Sequence, residues 1–127
     1  MIDGVVTVLV TPLKSNGSIC SDSLQKIVDY QINRGIAAFW ALGSTGEDMS
    51  LSKKVKMEFV EIIAEKVKNR VPIIMGTGEL SMDDNIAFYK HCYEHNIDYV
   101  SYIHRDTKQD SAKFIDSVIK IEERAPL

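Results

Sequence analysis

The stretch Phe39–Ser52, FWALGSTGEDMSLS, decides how this chain is read. An apolar run ends at Leu42, and Gly43 and Gly46 then bracket two hydroxyl residues, Ser44 and Thr45. Ser52 follows as a helix N-cap type, ahead of Val55, Phe59, Ile62, Ile63 and Val67 at helical spacing. A short apolar run, a glycine-bounded loop and an amphipathic pattern make a strand, a turn and a helix, in that order. Glycines in the turn let the backbone come close to a ligand and take conformations barred to other residues.

The same unit recurs on both sides. Gly4–Val10 (GVVTVLV) is β-branched and almost wholly apolar, as expected of a strand buried on both faces, and Thr11-Pro12 ends it. Ser21 or Asp22 can cap a helix carrying Leu24, Ile27, Val28 and Ile32, and Gly35 sits where helices commonly end. Ile36–Leu42 is then a second buried strand. Pro72–Gly76 is a third, and Ser81 with Asp84 resembles a capping box before Ile86, Tyr89 and Tyr93. Asp98–Ile103 is a fourth, and Asp110 or Ser111 opens a helix with Phe114, Ile115, Val118 and Ile121. The order βαβαβαβα, without hairpin or low-complexity signals, predicts a parallel sheet. Strands beginning near Val5, Ala37, Ile73 and Tyr99 have the rhythm of a (β/α)8 barrel, run four times, with Ala125-Pro126-Leu127 resembling the entry to a fifth strand. A doubly wound sheet is the other parallel architecture. Its nucleotide signature belongs after the first strand, where Thr11–Gly17 has neither a Gly-x-Gly-x-x-Gly nor a P-loop pattern.

Composition narrows the function classes. At 127 residues, 45% apolar and 26% charged, the chain reads as one domain, residues 1–127, with a core of its own. A net charge of −3, spread evenly, offers no basic patch for nucleic acid. No apolar run reaches the roughly 18 residues needed to span a membrane. The amino terminus lacks a secretion signal, so a cytoplasmic location is expected. Cys20 and Cys92 lie far apart without metal spacing, as idle thiols of a reducing compartment would.

Four blocks in register, GVVTVLVTPL, GSTGE, the LS at Leu51-Ser52 and VPIIMGTG, resemble the amino-terminal half of the dihydrodipicolinate synthase and N-acetylneuraminate lyase family. The likeness runs from Gly4 to about Ile103. It implies half of a (β/α)8 barrel from a lyase or aldolase that binds or releases pyruvate through a lysine Schiff base, needs no cofactor and forms homo-oligomers. Through it, Ser44 and Thr45, framed by Gly43 and Gly46, hold the carboxylate of pyruvate or another 2-oxo acid. Ser44 also serves as a link in a proton relay, and Thr11 lies near the floor of the pocket. Hydroxyls and convergent turn N–H groups suit such an anion. A tight turn with two incidental hydroxyls is the competing reading, and Glu47 reads as structural.

The likeness also marks what this chain does not carry. The family's Schiff-base lysine stands on the sixth strand and its proton-passing tyrosine on the fifth, whereas none of the eleven lysines here lies in an expected strand. Where many members have Pro-Tyr-Tyr, this chain has Arg105-Asp106-Thr107. The chain alone is therefore expected to be inactive, and a non-catalytic half-barrel with a ligand-binding or assembly role is the alternative. No metal is assigned. His91-Cys92-Tyr93-Glu94-His95 matches His-x-x-Glu-His, but on an outer barrel helix it reads as a solvated polar face. His104-Arg105-Asp106 echoes a kinase loop without its companion motifs, and Lys53-Lys54-Val55-Lys56 reads as a solvated basic helix start.

Overall fold

A computed structural model describes residues 1–77, 81–102, 115, 116 and 119. Four strands, β1 (Val6–Val8), β2 (Ala38–Ala41), β3 (Ile73–Thr77) and β4 (Tyr99–Tyr102), form one sheet in the order β1-β2-β3-β4. All three pairings are parallel, with Val8 beside Trp40, Trp40 beside Ile74 and Ile74 beside Tyr99. The N–H of Ala37 bonds Val5 O and that of Leu9 bonds Trp40 O, both at 2.8 Å. Pairing along the first strand thus reaches most of the expected Gly4–Val10.

Three helices connect the strands: α1 (Ser21–Asn33), α2 (Lys53–Val67) and α3 (Met82–Glu94). Ser52 caps α2 as expected, its hydroxyl accepting from the Val55 N–H. Ser81 caps α3 by accepting from Asp84 N–H, but the Asp84 carboxylate pairs with Lys53 of α2 and does not complete the box. At α1 the cap residue is Cys20, without a side-chain bond, and Ser21 is already helical. Gly35 follows that helix at φ +77°, the left-handed conformation expected after a helix end.

Leu24 and Val28 of α1, Phe59, Val60, Ile63 and Val67 of α2, and Phe88 and Cys92 of α3 pack on Phe39, Ala41, Ile73 and Met75 of the sheet. All three helices therefore cover one face of the sheet. Strands in chain order with helices on a single side are the arrangement of a barrel wall; a doubly wound sheet places helices on both. The expectation of strands buried on both faces is corrected here. Val8, Val10, Trp40 and Tyr99 are exposed, because the side chains alternate and the helices reach one side only. On α3 the core stripe is Phe88, Tyr89 and Cys92, with Ile86 packed beside it, whereas Tyr93 is exposed. An antiparallel bridge, Leu13 with Ile19, folds the segment after β1 into a small turn that the hairpin signals missed. Lys56 is 4% exposed, so the solvated reading of the basic helix start fails at that residue. Gly78, the capping of a fourth helix at Asp110 or Ser111, Arg105-Asp106-Thr107 and Ala125-Pro126-Leu127 lie outside the described residues.

Candidate functional site

In a parallel sheet with crossover helices the strand ends collect the connecting loops, and in barrels that edge carries the site. Thr11 follows β1, Gly43–Gly46 follows β2, and Gly76-Thr77 closes β3, so the segments singled out in the sequence meet at the same edge. The hydroxyl of Thr11 donates to Gly46 O at 2.8 Å, pinning the second-strand loop to the end of the first strand. Gly46 is buried there: a Cβ would stand 3.2 Å from Leu9 O and 3.3 Å from Thr11 Oγ1. Its smallness serves the close approach of two loops.

Residues Ser44–Gly46 form one turn of 3-10 helix, closed by Gly46 N–H to Gly43 O at 2.9 Å and Glu47 N–H to Ser44 O at 3.1 Å. These bonds leave the N–H groups of Ser44 and Thr45, the first two residues of the turn, outside its own hydrogen bonding. Both residues are exposed, with Gly43 and Gly46 buried on either side. Two hydroxyls and two turn-entry amides on a held loop can accept a small anion.

The backbone freedom expected of the glycines belongs to their neighbours. Gly43 has φ −89° and an extended ψ, open to any residue. Leu42 and Glu47, at φ +51° and +56°, take the left-handed conformation. That conformation turns the Leu42 carbonyl onto β3, where a Cβ on Gly76 would lie 2.2 Å from it. Gly76 is thus required by the shape of the neighbouring loop. Glu47 is exposed and links the Ser44–Gly46 turn to a second 3-10 turn at Asp48–Ser50, while the acid that is buried in the loop is Asp48, 2% exposed. No spacing in the sequence distinguished the two acids.

Sequence reasoning also missed Trp40. Its indole N–H donates to Ser101 Oγ at 3.0 Å, reaching from β2 across β3 to β4 on the helix-free face, and Gly43 sits beside the ring. The signal was present in the alternation: Phe39 and Ala41 face the helices, so Trp40 faces away.

The two thiols differ. Burial pushes Cys92 up to about 12, an inert core thiol. The hydroxyl of Ser23, 3.1 Å away, holds half-buried Cys20 below the usual thiol range. Among the described residues, no lysine stands on a strand; they occupy loops, helices and a helix end. No helix among them is long and apolar enough to cross a membrane.

Comparison with known proteins gives a consistent picture. The family model described as the dihydrodipicolinate synthetase family matches residues 1–122. A 4-hydroxy-tetrahydrodipicolinate synthase of Bartonella bacilliformis is 33% identical over 100 residues, covering 79% of this chain and 34% of that protein. The chloride-inhibited dihydrodipicolinate synthase of Acinetobacter baumannii, solved with pyruvate, superposes with a TM-score of 0.89 at 27% identity, covering 100% of this chain and 44% of that one. The N-acetylneuraminate lyase of Fusobacterium nucleatum shares the fold, with a TM-score of 0.88 at 23% identity over 98% of this chain and 43% of that one. The chain thus spans less than half the length of these relatives, and its four-stranded sheet corresponds to the amino-terminal half of a (β/α)8 barrel. With a match running through nearly all of its residues, the chain belongs to the dihydrodipicolinate synthetase family.

Proposed function

We propose that this chain supplies the 2-oxo-acid carboxylate-binding loop of a cytoplasmic, pyruvate-dependent Schiff-base lyase or aldolase. The observation that carries the reading is the Thr11–Gly46 bond, which holds the loop at the sheet edge with Ser44 and Thr45 turned to solvent. Ser44 and Thr45 hydroxyls donate to the carboxylate of pyruvate or a related 2-oxo acid. A lysine amine supplied by a complete barrel attacks the keto carbon, and water leaves as the iminium forms. The carboxylate contacts orient that carbon, and Ser44 takes part in moving the protons. Gly46 keeps the loop close to the wall, and Thr11 holds it in place without touching the substrate. The pyruvate bound to the Acinetobacter baumannii relative supports the substrate class.

A second reading rests on the exposed Val8, Trp40 and Tyr99 of the helix-free face, which suit a non-catalytic half-barrel with an assembly role. One experiment separates the two. In a version of the protein carrying a complete barrel, Ser44→Ala with Thr45→Val removes two donors to a charged group, each worth about 1.5–3 kcal/mol. Pyruvate affinity measured by calorimetry should fall about a hundredfold or more. Unchanged affinity would return the hydroxyls to the turn and leave the assembly role.

A further inference from the structure

We propose that Glu61, His91 and His95 form a binding site for a divalent transition-metal ion, of the zinc class, where α2 meets α3. The solvated helix face expected of His91 and His95 is not what forms. His91 packs against α2, its side chain 15% exposed, with Nε2 donating to Met57 O at 3.1 Å and standing 3.3 Å from Glu61 Oε1. His95, one helical turn on, lies with its ring centroid 4.4 Å from that of His91. One ligand atom from each of the three residues lies within 4.8 Å of the other two.

The tautomer of His95 is set for coordination. Its Nδ1 lies 2.8 Å from the backbone carbonyl of His91, and a carbonyl only accepts, so Nδ1 carries the proton. Nε2 is left with a lone pair, the arrangement by which second-shell bonds prepare metal-binding histidines. At His91 the neutral ring takes its proton on Nδ1 instead, and the freed Nε2 lone pair binds the ion in place of the bond to Met57 O. Tetrahedral bonds of about 2.0–2.2 Å put ligand atoms roughly 3.3–3.6 Å apart. The His91–Glu61 pair already has that separation, at 3.3 Å, and rotation of the exposed Glu61 side chain and the His95 ring closes the remainder. Two imidazoles and one carboxylate select borderline transition ions over magnesium or calcium, which prefer oxygen alone. Water completes the coordination on the solvent side.

The position defines what the ion does. α3 runs back from the end of β3 to the start of β4, so its last turn lies at the sheet end opposite the Gly43–Gly46 loop. The ion therefore clamps two outer helices and takes no part in chemistry at the loop. The proposal stands independently of the proposed function.

The test uses zinc chloride with the 127-residue chain. Calorimetry should give one Zn2+ per chain, magnesium chloride should give none, and the melting temperature should rise with zinc concentration. Glu61→Gln and His95→Gln should each weaken binding at least about tenfold. His104→Gln and Cys20→Ser should leave it unchanged. Independently of any variant, the imidazole resonances of His91 and His95, and not those of His104, should shift on titration. Absence of stoichiometric binding, binding that survives both Glu61→Gln and His95→Gln, or binding lost instead with His104 or Cys20 would overturn the proposal.

Discussion

At the residue scale, Gly43 needs no glycine freedom, whereas Gly76 is required by the loop beside it. Gly43 lies in the conspicuous loop, yet its backbone is extended and a Cβ would meet only Trp40, at 3.8 Å. Gly76, in an ordinary strand, faces the Leu42 carbonyl at a distance no side chain tolerates, 2.2 Å from its would-be Cβ. Gly76→Ala must therefore displace the exit of β2 and the loop behind it. Overpacking costs about 1–3 kcal/mol, and a clash with backbone belongs near 3. Gly43→Ala should stay within about 0.5 kcal/mol of the parent. Urea unfolding of the two variants checks this, and equal midpoints would mean that the loop does not hold Leu42 as described. The glycine loop itself was legible because Gly-Ser-Thr-Gly is a composition signal. The positive φ of Leu42 and Glu47 was not, since neither residue type favours it and the neighbouring strand imposes it.

At the element scale, periodicity located every described helix, because an apolar stripe must face the sheet whatever its length. The ends were less visible. Ser52 and Ser81 cap as their residue type predicts, whereas α1 begins behind Cys20, which has no capping bond and no sequence signature. The end of α2 is held by a residue three positions beyond it: Arg70 donates to Val67 O at 2.9 Å and Lys66 O at 2.8 Å, and its guanidinium also binds Asp29 of α1 at 2.8 Å. That ion pair, helped by the Gln25 amide, holds the Asp29 carboxyl below its usual range. Between helix and arginine the chain turns through Lys68, at φ +52°, whose N–H bonds Ala64 O at 2.9 Å. A left-handed lysine costs about 1–2 kcal/mol, while glycine takes that conformation freely but is looser when unfolded by about 0.5–1 kcal/mol. Lys68→Gly should therefore raise stability by about 0.5–1 kcal/mol, seen as a melting temperature higher by a few degrees. A lower melting temperature would show that the lysine side chain contributes more than its backbone strain removes.

At the scale of the whole molecule, the sequence was apolar on both sides of its strands, and the described structure uses one. Phe39, Ala41, Ile73 and Met75 disappear beneath the helices, but Val8, Trp40 and Tyr99 are 43%, 37% and 47% exposed on the other side. In a complete barrel such residues interdigitate in layers at the centre. Relatives more than twice as long have chain to supply the opposite wall. Among the described residues this face stands open, and β1 and β4 are strand edges whose backbone groups invite another strand. A contiguous apolar face of this kind is rarely left open by a monomer. We expect the isolated chain to associate with itself, burying Trp40 against a second copy, and to bind an apolar-surface dye until it does. Light scattering across a concentration series should show mass rising above 14.3 kDa, and the indole fluorescence of Trp40, the only tryptophan, should shift to the blue as it does. Trp40→Ser should weaken the association while leaving the helix-packed core intact. A single sharp monomer with no dye binding would mean that residues beyond the described wall already cover this face, and the assembly reading would then lose its only support.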